Sequence, residues 1–345
     1  MPTTKRRALI LISSARWLPM VEPADVGPMS IGFYLVELAQ VLKEFEHDYE
    51  FTFATPDGDV PQLDINGLAL AFHAIEKVGG KTVTLGLQQR RRSFDVNRFR
   101  QGHRDLAARR EQDLQLLERH LGRLPVSELL PASEPEVAEF RPELIRRLDA
   151  LPQRTFHSVQ ELVLRHRDPA DPFTFADFDF IHAPGGHPPM IDFRDQPWLG
   201  ETLHLARESG MLISLICHAP VAVTSTLQRV DATGQAYRVS DNPFLAAAIS
   251  VLPKMNEMFV LRAGYARVPG RKTRLPYYVD EAIKEAGFTV RPIINLAAVK
   301  LAYEPSVRLL TGNGPQAIDQ QTAKLRSILT DNPTTRRISG ERTSA

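Results

Sequence analysis

Apolar positions fall into two patterns that alternate along the chain. Apolar-rich runs of strand length occur at Arg7–Ser13, Tyr49–Ala54, Phe178–His182 and Met211–Ile216, the pattern of strands buried on both faces. Stretches with apolar residues at helical spacing lie between and after them, at Ile31–Phe45, Trp198–Ser209, Tyr277–Ala286 and Pro315–Leu329. A further helix is expected to open at Ala219-Pro220-Val221-Ala222-Val223, with proline in its first turn. Strand and helix in alternation predict an α/β fold: a mostly parallel sheet sandwiched by helices, with its functional sites at the carboxyl ends of the strands.

One long stretch breaks this rhythm. Between about 88 and 170 the pattern predicts helices only, at Glu136–Leu151, Val159–His166 and around Leu114, Leu117, Leu121 and Leu124, which recur at helical spacing. Residues 88–125 hold ten arginines against five carboxylates, beginning with Arg90-Arg91-Arg92. Such a surplus fits an anionic partner or a substrate entrance; the plainer reading is a helical cap whose arginines are solvated or paired. The leucine stripe needs an apolar surface to cover, either the main domain or a second copy in a homodimer. After Thr330 a polar tail, 331–345, is expected to be disordered.

Composition narrows the function classes. Apolar residues make up 43 % of the 345, enough for a packed core, and the formal net charge is +1, so nothing global points to nucleic acid or a membrane surface. A single cysteine excludes an intramolecular disulfide and fits a reducing compartment. The basic Met1–Arg7 precedes an apolar run of only strand length, and no segment is long enough to span a bilayer; the expectation is a cytoplasmic protein without a signal peptide.

That lone cysteine is the most pointed chemical feature. Cys217 stands where the run Leu212–Ile216 stops and the next helix begins, the position of a nucleophile on a sharp strand-to-helix turn. There the helix dipole is expected to lower the thiol pKa, and His218 offers a proton acceptor. A buried, inert cysteine is the plain alternative. Phe178–His182 likewise runs into Ala183-Pro184-Gly185-Gly186-His187, where two glycines permit close backbone approach and free amides. No His-Glu-x-x-His pattern or close histidine pair occurs, so no catalytic metal and no cofactor are expected.

Ala183-Pro184-Gly185-Gly186-His187, Met190-Ile191-Asp192-Phe193 and Ile216-Cys217-His218-Ala219-Pro220 together resemble the DJ-1/PfpI superfamily. The resemblance is closest to its heat-shock-protein-31-like branch, which includes glutathione-independent glyoxalases. Gly32–Glu37, Thr52–Gly58, Leu275–Ala282 and Leu309–Pro315 extend it in the family's order over roughly 5–60 and 172–328. The resemblance implies a flavodoxin-like domain over residues 1–330, interrupted by the helical insertion. It implies Cys217 as nucleophile, Glu37 as a protonated shuttle beside it, and His218 as the second triad member. Glu257 is the best match to the orienting acid, with Asp280 and Glu281 as competing carboxylates. Gly185, Gly186 and His187 would form the oxyanion and substrate-binding turn, with the amides of Gly186 and His218 as donors, while His187 also recommends itself as a pocket residue.

The implied activity is that of a lyase converting methylglyoxal or glyoxal, a small-molecule carbonyl, to a 2-hydroxy acid. Other cysteine-dependent hydrolases or biosynthetic enzymes acting on larger electrophiles, and a non-enzymatic chaperone or redox sensor, remain open on the same fold. Two residues depart from the family pattern: Pro188 and Ala219 each stand where glycine is usual.

Overall fold

Successive residues of the first strand, β1 (Arg6–Leu11), serve two cores: Leu9 and Leu11 join one apolar cluster, Ala8 and Ile10 the other. The same alternation holds in β4 (Phe178–Ala183) and β5 (Leu212–Ile216), so the sheet is buried on both faces, as its unbroken apolar runs require. The remaining strands are β2 (Tyr49–Thr55), β3 (His157–Ser158), β6 (Leu301–Glu304) and β7 (Leu309–Gly312). Their spatial order is β6-β7-β5-β4-β1-β2-β3, parallel throughout except for the β6–β7 pair. This is the α/β architecture the pattern predicts. The structure is a computed structural model that describes residues 5–73, 88–89, 91–263, 267–293 and 298–331. The expected tail, Arg90 and the first four residues lie outside that set, apart from Asp331, which ends a helix.

One face is covered by α1 (Leu35–Phe45) and the final helix, α9 (Ile318–Asp331); the other by α5 (Val159–Arg167), α6 (Pro197–Glu208) and α8 (Val279–Glu285). The first helix starts four residues later than the pattern predicts. Ile31–Tyr34 is extended instead, because Phe33 exchanges backbone hydrogen bonds with Gln62 and Asp64 and bridges Gly186.

The segment after Cys217 also differs from expectation: Ala219–Leu227 is a 3₁₀ helix. Its β-branched Val221, Val223, Thr224 and Thr226 disfavour a regular α-helix, and the Thr226 hydroxyl donates to the Val223 carbonyl.

Most of the 88–170 stretch forms a second layer outside α1. Its helices are α2 (Val96–Gly102), α3 (Arg104–Leu121) and α4 (Pro135–Asp149). Leu114, Leu117 and Leu121 bury against the α1 cluster, and Leu124 joins them from beyond the α3 terminus, where Gly122 turns the chain at φ +67°. The chain then rejoins the sheet at β3, so α5 belongs to the framework layer and not to the outer one.

Several arginines of the outer layer are engaged within the protein: Arg109 with Asp319, Arg119 with Glu46, and Arg110, buried, with Glu136 and the Leu68 carbonyl. Glu136 also accepts from the Leu70 amide, so the outer layer anchors the loop after Asp64. Among the described residues no helix is long and apolar enough to cross a membrane.

Candidate active site

Parallel pairing of β4 and β5 brings their carboxyl ends together, with His182 opposite Ser214 and Ala183 opposite Leu215. Immediately beyond lie Gly185 and Cys217. A Cβ on Gly185 would sit 2.6 Å from the Cys217 Cβ and 2.8 Å from the Ile216 carbonyl oxygen, so only glycine allows this approach. Cys217 itself takes φ +63°, a left-handed conformation that costs a non-glycine residue on the order of 1–3 kcal/mol. Flanking bonds from the Cys217 amide to Gly312 and from the Leu252 amide to the Cys217 carbonyl hold it there, both about the ordinary length at 2.9 and 3.0 Å.

His218 follows on the same corner. Its Nδ1 lies 3.3 Å from the Cys217 sulfur and its Nε2 lies 2.8 Å from Glu257 Oε2. Glu257 Oε1 in turn is 3.0 Å from Nε2 of His187, and all three side chains are buried. Burial works against charge on Glu257, yet the two imidazoles outweigh it and hold the carboxyl well below the usual range. Burial, reinforced by His187, lowers the His218 pKa despite its bond to Glu257. A neutral His218 that donates from Nε2 to this carboxylate presents a lone pair at Nδ1 to the thiol. For His187 burial is again opposed by Glu257, which here prevails and raises the pKa.

Glu257 comes from α7 (Lys254–Ala263), and Asp280 accepts from the Lys254 amide at the start of that helix. Glu281 pairs with the Lys254 ammonium at 2.7 Å. Neither competing carboxylate reaches His218; both fix the helix that carries Glu257.

Glu37, in the first turn of α1, is fully buried. Its Oε2 accepts from the Gly185 amide at 2.7 Å, and Cys217 lies close enough to influence the carboxyl's titration. Burial drives the Glu37 pKa up to about 8, more than the Gly185 amide and the neighbouring Cys217 pull it down. The Gly185 amide is thereby committed to Glu37, which is a correction to its expected oxyanion role; the Gly186 amide points at the sulfur instead. His187 likewise faces Glu257 and not the sulfur.

The expected low thiol pKa is not what these surroundings produce. Burial and the nearby Glu37 push Cys217 well up, with only the Gly186 amide opposing, and the following 3₁₀ helix replaces the α-helix whose dipole the expectation used.

Three positioning groups escaped the sequence reading. His182 Nε2 is 2.9 Å from the Glu37 carbonyl and its Nδ1 is 3.1 Å from the Ser214 hydroxyl, which also receives Gln321 at 3.0 Å. Burial lowers the His182 pKa to about 4, so it stays neutral. The only signal was a polar residue inside each of two apolar strands. Asp192, from the resembling motif, accepts from the amides of Ser14 and Ala15 and ties the loop after β1 to the Gly-Gly turn. Burial raises its pKa to about 6.

The two departures from the family pattern cause no strain. Pro188 opens a helical turn at φ −49°, and Ala219 is not among the described non-glycine residues with positive φ.

Beside His218 and Glu257 a narrow crevice, too tight to hold a water molecule, is lined by Met190, Leu252, Leu275, Tyr277 and Tyr278.

No protein-family model and no curated protein matches the chain. Solved structures do share its architecture. The Rapid Encystment Protein 24 KDa of Francisella tularensis is 12 % identical, with a TM-score of 0.52 over 94 % of this chain and 99 % of its own. Glyoxalase III from Candida albicans is 11 % identical over 93 % and 96 %, with a TM-score of 0.49. At such identities the likeness is one of fold alone: the chain shares its α/β architecture with the Francisella protein.

Proposed function

We propose that this protein is a cysteine-dependent enzyme that converts a small 2-oxoaldehyde to a 2-hydroxy acid without glutathione. The observation that carries the reading is Cys217, on a strained strand-to-helix corner, between the Nδ1 of a neutral His218 and a protonated Glu37. A carbonyl needs a nucleophile, a base for its proton and an acid for the developing oxyanion, and these three groups meet that need.

In this mechanism His218 takes the thiol proton as sulfur adds to the aldehyde carbon, and Glu37 gives its proton to the carbonyl oxygen, forming a hemithioacetal. The Gly186 and His218 amides stabilise the oxygen as charge develops. Glu37, now a carboxylate, removes the proton from that carbon. His218 protonates the enediolate oxygen as the electron pair shifts. Glu37 returns its proton to the neighbouring carbon while His218 accepts the hydroxyl proton, which leaves an acyl-thioester. Water hydrolyses the thioester, releasing a 2-hydroxy acid and restoring the thiol, Glu37 and His218 to their starting protonation. No net oxidation occurs. Incubation with methylglyoxal, glyoxal and longer 2-oxoaldehydes, without glutathione, tests the reading. Lactate or glycolate should form with wild type and not with Cys217→Ser, and absence of any 2-hydroxy acid refutes it.

A further inference from the structure

The His187–Glu257–His218 cluster has the composition of a metal centre as well as of a proton-transfer triad. Two imidazoles and one carboxylate, drawn from the Gly-Gly turn, the strand-to-helix corner and α7, place their donor atoms within 4.8 Å of one another. His₂Glu with an open fourth position is a donor set of zinc sites. Nitrogen and oxygen ligands about 2.0–2.1 Å from a tetrahedral zinc stand about 3.3 Å apart. Both imidazole nitrogens already lie within hydrogen-bond distance of the carboxylate, at 3.0 and 2.8 Å, and the two rings are 4.6 Å apart between centroids. Each nitrogen–oxygen pair therefore already stands close to the spacing of zinc ligands. A narrow crevice lined in part by His218 and Glu257 themselves adjoins the cluster.

We infer that His187, His218 and Glu257 bind a divalent zinc-type ion and that such binding switches the cysteine site off. The two uses of the cluster exclude one another. Without metal, His218 donates from Nε2 to Glu257 and keeps Nδ1 open toward the sulfur 3.3 Å away. With metal on Nε2, the ring's single proton moves from Nε2 to Nδ1, and that nitrogen can no longer accept one from the thiol. Glu257, bound to the ion, no longer orients the ring. Cys217 faces the other ring nitrogen and is no ligand of this ion.

The test uses the full-length protein stripped of metal with a chelator and titrated with Co²⁺ and Zn²⁺. Wild type should bind one ion per chain by calorimetry, and Co²⁺ should show tetrahedral ligand-field bands without thiolate charge transfer. Cys217→Ser should bind in the same way. His187→Gln and Glu257→Gln, checked for folding by circular dichroism, should lose saturable binding. No saturable ion in wild type overturns the inference, and so does a Co²⁺–thiolate band or loss of binding in Cys217→Ser, since either places the ion on the sulfur. The wild-type spectrum decides even if a variant fails to fold.

Discussion

Replacing Glu37 by Gln should abolish most activity and at the same time stabilise the protein. The shape is nearly unchanged: a Gln carbonyl can still accept from the Gly185 amide, now 2.7 Å from Oε2, and its amide group can still donate to the sulfur. What disappears is an exchangeable proton and, with it, the cost of a buried ionisable group. The sign follows from the pKa. Burial raises Glu37 from the ordinary 4.5 to about 8, so between these values the folded protein holds a proton that the unfolded chain has released.

Stability from this group is therefore greatest below pH 4.5, falls as pH rises, and levels off above about 8, at a slope of roughly 1.4 kcal/mol per pH unit. Integrated to pH 7 the loss is about 3 kcal/mol, which Glu37→Gln should recover in large part. Turnover should fall by about 10²–10⁴-fold, the usual contribution of a general acid–base group. Urea unfolding at pH 5, 7 and 8.5, paired with 2-hydroxy-acid formation at each pH, measures both quantities. In wild type, activity should decline above about pH 8 as Glu37 loses its proton. Turnover within a few-fold of wild type would refute the shuttle role. An unchanged pH slope of stability would refute the buried, protonated carboxyl.

Further expectations concern the groups around it. Gly185→Ala should displace the cysteine corner, cost about 1–3 kcal/mol of stability by overpacking, and suppress Cys217 alkylation, since the new Cβ falls 2.6 Å from that of Cys217. Glu257→Gln should cost about 10–100-fold in turnover, less than Glu37→Gln, because it disturbs the orientation and charge of His218 and removes no substrate proton acceptor; a pH–rate profile identical to wild type would count against it. Glu136→Gln leaves buried Arg110 without its ion-pair partner and should destabilise by about 3–5 kcal/mol in urea unfolding. If that variant unfolds like wild type, the outer helical layer is not anchored through this pair.

The sequence by itself determined the layered α/β fold, because strands buried on both faces must be written as apolar runs and their covering helices as amphipathic ones. It also marked Cys217 and the Gly-Gly turn, since a thiol on a sharp strand-to-helix corner and a backbone with no room for a Cβ each demand a particular residue type locally. Tertiary structure alone decided the rest. Glu257 and His187 lie far from His218 in order along the chain or on another strand, and no spacing rule reveals that one carboxylate serves both rings. His182, Ser214 and Gln321 became a positioning chain only when two strands and the last helix converged. The upward shift of the Cys217 pKa is tertiary for the same reason. A helix dipole is a local inference, whereas burial and a neighbouring carboxyl from α1 are products of packing, and in a desolvated site they outweigh it.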